Sequence, residues 1–238
     1  MLDDNFDPFF YEEIYDPPTT NESLLQFNGI EDIRLYQYLK EIYFIGTSMS
    51  HSNNGKNLII RGKYDIVNFK LTNLLLIESP YDLPCEKNWT PIIQNLQGIE
   101  SEFFIYKWFP MEIGRIVNSK LQIETIYDIS SQIFSKFRGS SPFIQWGEFL
   151  LGVVHFSEDE FLERKYFHTL VMLDKITMKP LKYSNPFYFG NEPSIEFCIG
   201  FTINELKYHF WISILDSDPM LLSIPLECIP LINQVTYL

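Results

Sequence analysis

The feature that most constrains this chain is a succession of short apolar runs, each bounded by turn residues, with almost no helical periodicity between them. After Gly29, the runs Ile33–Tyr38, Glu41–Thr47, Leu58–Tyr64 and Asn73–Glu78 follow one another. A second group reads Trp89–Ile93, Glu102–Trp108, Ile113–Val117 and Leu121–Tyr127. A third reads Pro142–Trp146, Glu148–His155, Tyr166–Leu173 and Lys182–Tyr188, and a fourth Ile195–Thr202, Lys207–Leu215 and Met220–Ile224. Runs of this length, rich in Ile, Phe, Tyr and Val, are strand signatures. Nothing alternates strand with helix as a parallel doubly wound sheet requires, and only Ile126–Phe137 has room for a helical turn or two. The groups recur at roughly 45 residues, the period of β-propeller blades. A sandwich or jelly roll uses strands of the same length, so periodicity alone leaves both architectures open.

Composition narrows the partners. Eighteen basic residues against 31 acidic give a net charge of −13, which repels nucleic-acid phosphates and anionic membranes at long range. Apolar stretches such as Phe149–Val154 are far shorter than a membrane span. The opening residues lack a basic and then apolar leader, and three cysteines (Cys85, Cys198, Cys228) show no CxxC spacing. The expectation is a reduced, cytoplasmic protein without a disulfide framework or structural zinc. Aromatic residues make up 16% of the chain, which suits strands and also suits flat faces offered to a ligand; a core built on Phe explains the same number. Residues 1–28, acidic and interrupted by Pro8, Pro17 and Pro18, read as an irregular arm or partial blade ahead of one domain over 29–238.

Polar clusters interrupt the strands. In Glu31-Asp32-Ile33-Arg34, period two puts Asp32 and Arg34 on one strand face. A surface ion pair at a strand edge explains that cluster equally well. Further clusters are Glu86-Lys87-Asn88-Trp89, Tyr106-Lys107-Trp108-Phe109-Pro110, Gly139-Ser140-Ser141-Pro142, Gly152-Val153-Val154-His155, Phe167-His168 before Leu173-Asp174, Pro186-Phe187-Tyr188-Phe189, and Ile195-Glu196-Phe197-Cys198. His155 and His168 each also read as hydrogen-bonded core residues, and Trp89 and Trp108 as core rings. Glu196, among apolar neighbours, needs a cation or a cavity. Asp216-Ser217-Asp218 matches a D-x-D metal motif, but without a Rossmann-like context it reads as a turn before Pro219.

Taken in order, these clusters resemble a carbohydrate-active five-bladed β-propeller. They are similar to the β-mannoside phosphorylases and hydrolases, the β-1,2-mannosyltransferases, and propeller domains found beside glycosyltransferases in bacteria and large DNA viruses. The resemblance spans roughly Gly29 to Asp216. It implies a central funnel with Asp32 as general acid and Arg34 orienting the sugar or an anionic group. Lys87 and Asn88 would line the same funnel, Arg138 and His155 would hold phosphate or developing charge, and Tyr106, Trp108 and Tyr188 would form flat walls. Glu196 is carried as a further substrate-binding candidate. The implied activity is glycosyl transfer or phosphorolysis, with mannosides as the implied substrates. No resident cofactor or metal is implied, and phosphate, a sugar phosphate or a nucleotide sugar would be a substrate. A catalytically silent carbohydrate-binding or scaffolding module is the alternative. A glycosidase would need a second carboxylate, for which Glu31 and Glu196 are the candidates. About four blades are visible where the family has five, and few arginines fall in the motifs. A homodimer covering the open edge, or a partner glycosyltransferase domain, is the expected association.

Overall fold

The computed structural model describes residues 29–52, 55–160 and 163–238, so the arm expected over 1–28 lies outside the described residues. The described chain forms four antiparallel sheets arranged as propeller blades. Sheet 1 is β1 (Glu31–Tyr38), β2 (Glu41–Ser48), β3 (Leu58–Asp65) and β4 (Lys70–Ile77), and sheet 2 is β5 (Thr90–Leu96), β6 (Ile99–Trp108), β7 (Met111–Val117) and β8 (Lys120–Tyr127). Sheet 3 is built on β10 (Ile144–Trp146), β11 (Phe149–Glu160), β12 (Glu163–Asp174) and β13 (Pro180–Tyr183), joined by the short β9 (Arg138–Gly139) and β17 (Asn233–Gln234). Sheet 4 has three strands, β14 (Glu196–Asn204), β15 (Lys207–Ile214) and β16 (Asp218–Pro225). The four sheets coincide with the four groups of apolar runs, because each run alternates its faces in phase with its neighbours.

The cores lie between blades. Tyr43 and Ile45 of β2 pack with Trp89 and Phe104 between sheets 1 and 2, while Phe44 turns to the opposite face of sheet 1. On β11, Leu150 and Val154 enter the core shared with sheet 2, and Leu151 and Val153 enter the core shared with sheet 4. A strand covered on both faces is apolar throughout, which is why Phe149–Val154 shows no alternation.

Two departures from the sequence reading follow. The helical turn expected within Ile126–Phe137 is a 3-10 turn at Gln132–Lys136. It is fixed by Phe134, which is buried between the Trp108 and Phe137 rings. The C-terminal tail, which carried no strand signature, returns to sheet 3. There β17 pairs with β13, and Ser130 donates its N–H to Thr236 O at 2.8 Å.

Candidate functional site

The inner strands β1, β5, β10 and β14 run side by side around the axis. Ile92 and Phe143 form a parallel bridge, and the guanidinium of Arg34 on β1 lies 5.4 Å from the Phe197 ring on β14. The residues that open these strands therefore gather at one end of the axis.

Arg34 organises that end. It is 2% exposed, and its donors reach backbone carbonyls from two blades. Nε donates to Ser140 O, Nη1 to Asp32 O at 2.8 Å, and Nη2 to Asn88 Oδ1 at 3.0 Å and Gly139 O at 3.2 Å. Among the described residues no carboxylate pairs with it, and burial pulls its pKa from 12.5 down to about 10. The planar fork of the guanidinium is what allows one side chain to satisfy acceptors on several elements at once. Expected from the resemblance to orient a sugar or an anion, Arg34 is instead spent on the protein's own acceptors.

Asp32 and Asn88, both held by Arg34, have left-handed backbone at φ 53° and 62°. Asp32 sits where the β1–β2 register shifts between Glu31 and Arg34, and it is half-buried. Gly139 makes the close approach possible: a Cβ there would collide with Asn88 O and Thr90 Oγ1.

A cavity of about 250 Å³ opens beside this cluster, and its lining includes Lys87, Asn88, Tyr106, Trp108 and Arg138. Five of the ten sequence-selected residues thus share one cavity. Lys87 and Arg138 are exposed and form no ion pair among the described residues, whereas Arg61, Arg115 and Arg164 each pair with a carboxylate. Tyr106 donates its hydroxyl to Glu86 Oε1 at 3.1 Å. Trp108 is a core ring at 3% exposure whose Nε1 has no partner among the described residues, and the flat wall expected of it is packed against Phe143, Phe134 and Phe137. Trp89 is core as well, donating Nε1 to Glu86 Oε2 at 3.1 Å.

His155 is 3% exposed, hydrogen-bonds Ser140 Oγ through Nδ1 at 2.8 Å, and stacks on Tyr166. Burial, reinforced by His168, Arg34, Arg138 and Lys87, holds its pKa well below 6.5, so it is neutral at physiological pH. Arg34, Arg138 and Lys87 thus act on one neutral imidazole. Opposite it on β12, His168 is fully buried with neither ring nitrogen partnered, and burial lowers its pKa to about 3.

Two selected residues stand apart. Glu196 is fully buried and faces neither cation nor cavity: it accepts N–H from Phe189 at 2.7 Å and from Gly190 at 2.8 Å, anchoring the loop that precedes β14. Tyr188 is 41% exposed, set edge-on to Phe167, and lines none of the cavities described here. Sequence reasoning passed over Glu86 and Ser140. Glu86 is 3% exposed, and its carboxylate borders the same cavity as Lys87. The signal was available in the E-K-N-W cluster, where an acid flanked by Trp89 needed a buried donor. The three cysteines are free, with Cys85 and Cys228 exposed and Cys198 buried. No metal cluster occurs among the described residues, and none of their helices is long and apolar enough to cross a membrane.

No family model and no curated protein matches the chain. Among solved structures it is similar to a β-1,2-mannobiose phosphorylase from Listeria innocua, with TM-score 0.59 and 14% identity over 84% of this chain and 59% of that one. A putative glycoside hydrolase from Bacteroides ovatus matches with TM-score 0.56 and 13% identity, over 82% of this chain and 68% of that one. A GDP-Man-dependent mannosyltransferase from Leishmania mexicana matches with TM-score 0.52 and 16% identity, over 87% of this chain and 73% of that one. The chain spans well under two thirds of the phosphorylase's length. At these identities the likeness is one of fold: this chain shares the β-propeller architecture of these carbohydrate-acting proteins.

Proposed function

We propose that the chain acts on carbohydrate, moving a glycosyl unit to or from a phosphate-bearing group in the manner of a glycoside phosphorylase or glycosyltransferase. The observation that carries this reading is electrostatic. In a chain of net charge −13, Lys87 and Arg138 stand without carboxylate partners among the described residues, at the end of the axis where Asp32 and Asn88 are clamped. Cations at a cavity rim fit a phosphate oxygen; Asp32 does not line that cavity itself and is linked to it through Arg34, which donates to both Asp32 O and Asn88 Oδ1.

Glycosyl transfer passes through an oxocarbenium-like transition state, and a carboxylic acid must protonate the departing oxygen. Asp32 takes that part. Its proton goes to the leaving oxygen as the glycosidic C–O bond breaks, and a phosphate oxygen held by Lys87 and Arg138 forms the new bond at the anomeric carbon. Inversion by this route needs no second carboxylate. Arg34 is a positioning residue that fixes Asp32 and Asn88. Neutral His155 offers hydrogen bonding through Ser140 without adding charge. Mannosyl is the unit favoured by the motif resemblance and by two fold neighbours, a mannobiose phosphorylase and a mannosyltransferase.

The test is incubation with mannose-1-phosphate plus acceptor sugars, with GDP-mannose plus acceptors, and with manno-oligosaccharides plus phosphate. Turnover that disappears in Asp32→Asn supports the proposal. Sugar binding without turnover in any arm favours the silent carbohydrate-binding module, and an unaltered rate in Asp32→Asn removes Asp32 as the acid.

A further inference from the structure

The axis carries a second cavity at the end where the inner strands finish. It measures about 860 Å³ and is bounded by Ile33 and Leu35 of β1, Ile93 of β5, Phe143 before β10, and Ile199 and Phe201 of β14. None of Asp32, Arg34, Lys87, Asn88, Arg138 and His155 lines it. Apart from Glu100 its polar fringe is uncharged and includes Gln37, Asn95, Gln145 and Thr202. The one charged lining residue, Glu100, accepts the Leu39 N–H at 2.6 Å.

We propose that this cavity binds an uncharged apolar small molecule, a long alkyl chain or flat aromatic ending in a hydroxyl or comparable hydrogen-bonding group. Three observations support a small molecule of that class. The volume falls in the range of small-ligand pockets, roughly 300–1,000 Å³, and an apolar lining with a few amide and hydroxyl groups is their usual composition. Leu35 is 45% and Ile199 37% exposed, so apolar surface faces the interior of a concavity walled by all four blades, a shape that admits a narrow molecule and not a folded partner. The charge pattern then selects among apolar ligands. No Lys or Arg lines the cavity, and the chain's net charge is −13, so a carboxylate or phosphate headgroup would be desolvated without a partner. The shape is also specifically built: at Gly200 a Cβ would stand 3.2 Å from the Trp211 side chain, and the missing methyl lets the indole lie across β14 as part of the lining.

The test is titration of the full chain with the neutral fluorophore N-phenyl-1-naphthylamine, followed by displacement. The expected result is a saturable one-site rise in probe emission that 1-dodecanol reverses, with dodecanoate about tenfold or more weaker as a competitor. Leu35→Arg, which places a cation in the cavity, and Thr202→Trp, which fills it, should each weaken probe binding about tenfold. Leu206→Arg, at a 77% exposed turn outside the cavity, should leave it unchanged. Circular dichroism confirms that each variant is folded. Absence of saturable binding overturns the proposal, as does dodecanoate competing as well as dodecanol, or parental affinity in both cavity variants. Because the readout is probe binding and not turnover, failure here is separable from failure of the glycosyl-transfer reading.

Discussion

Replacing Arg34 by Met removes the guanidinium while keeping much of the aliphatic stem. Four acceptors lose a donor: Ser140 O, Asp32 O, Asn88 Oδ1 and Gly139 O. Hydrogen bonds from a charged group contribute about 1.5–3 kcal/mol each, and two of these share one nitrogen, so the gross loss is about 6–8 kcal/mol. Burial of an unpaired charge works the other way. The fall of the Arg34 pKa from 12.5 to about 10 corresponds to about 3 kcal/mol that the variant recovers. The net destabilisation is about 3–5 kcal/mol, which for a domain of this size lowers the melting temperature by roughly 10 °C. Urea denaturation followed by tryptophan fluorescence measures it. Arg34→Lys should regain less than half, because an ammonium cannot reproduce the planar fork that spans Asp32, Asn88 and the Gly139–Ser140 carbonyls. A midpoint for Arg34→Met within about 0.5 kcal/mol of the parent would refute the claim that this side chain clamps the blade entrances. So would full recovery in Arg34→Lys.

Lys87→Ala and Arg138→Ala should each raise the KM for a sugar phosphate roughly five- to tenfold in steady-state assays while leaving the melting temperature in place, because both side chains are exposed and unpaired among the described residues. Acid should destabilise the fold in a defined window. His168 stays neutral when folded but takes a proton below about 6.5 when unfolded, so stability is full above that pH and declines by about 1.4 kcal/mol per pH unit as pH falls towards 3. His155, also held neutral, steepens the decline. Equilibrium unfolding from pH 7 to 4.5 should show a shallower slope in His168→Phe, whose ring replaces two unpartnered nitrogens at no cost in hydrogen bonds; a slope equal to the parent's would contradict this account. Gly139→Ala should cost about 2 kcal/mol or more in thermal or urea unfolding, because the new methyl meets backbone at Asn88 and the Thr90 side chain; unchanged stability would mean the approach of β9 is not close.

The blade pattern was legible from residues alone because it is local. Faces alternate along each strand, turns punctuate the runs, and the doubly covered β11 declares itself by an unbroken apolar stretch. Where polar side chains end up is not local. Arg34 reads as a substrate contact in one dimension, and only the meeting of β1 with the Gly139–Ser140 segment gives its donors to backbone carbonyls. Glu196 looked like a carboxylate in need of a cation until the loop at Phe189–Gly190 folded back to supply two N–H groups. The return of the C-terminal tail to sheet 3 and the apolar cavity at the far end of the axis likewise depend on contacts between distant segments. Sequence alone determined the strands, their grouping and the charge that repels polyanions. Tertiary structure decided which charged groups the fold consumes and which, like Lys87 and Arg138, stand at a cavity with no ion pair among the described residues, because satisfaction of a buried polar atom depends on neighbours far away in the chain.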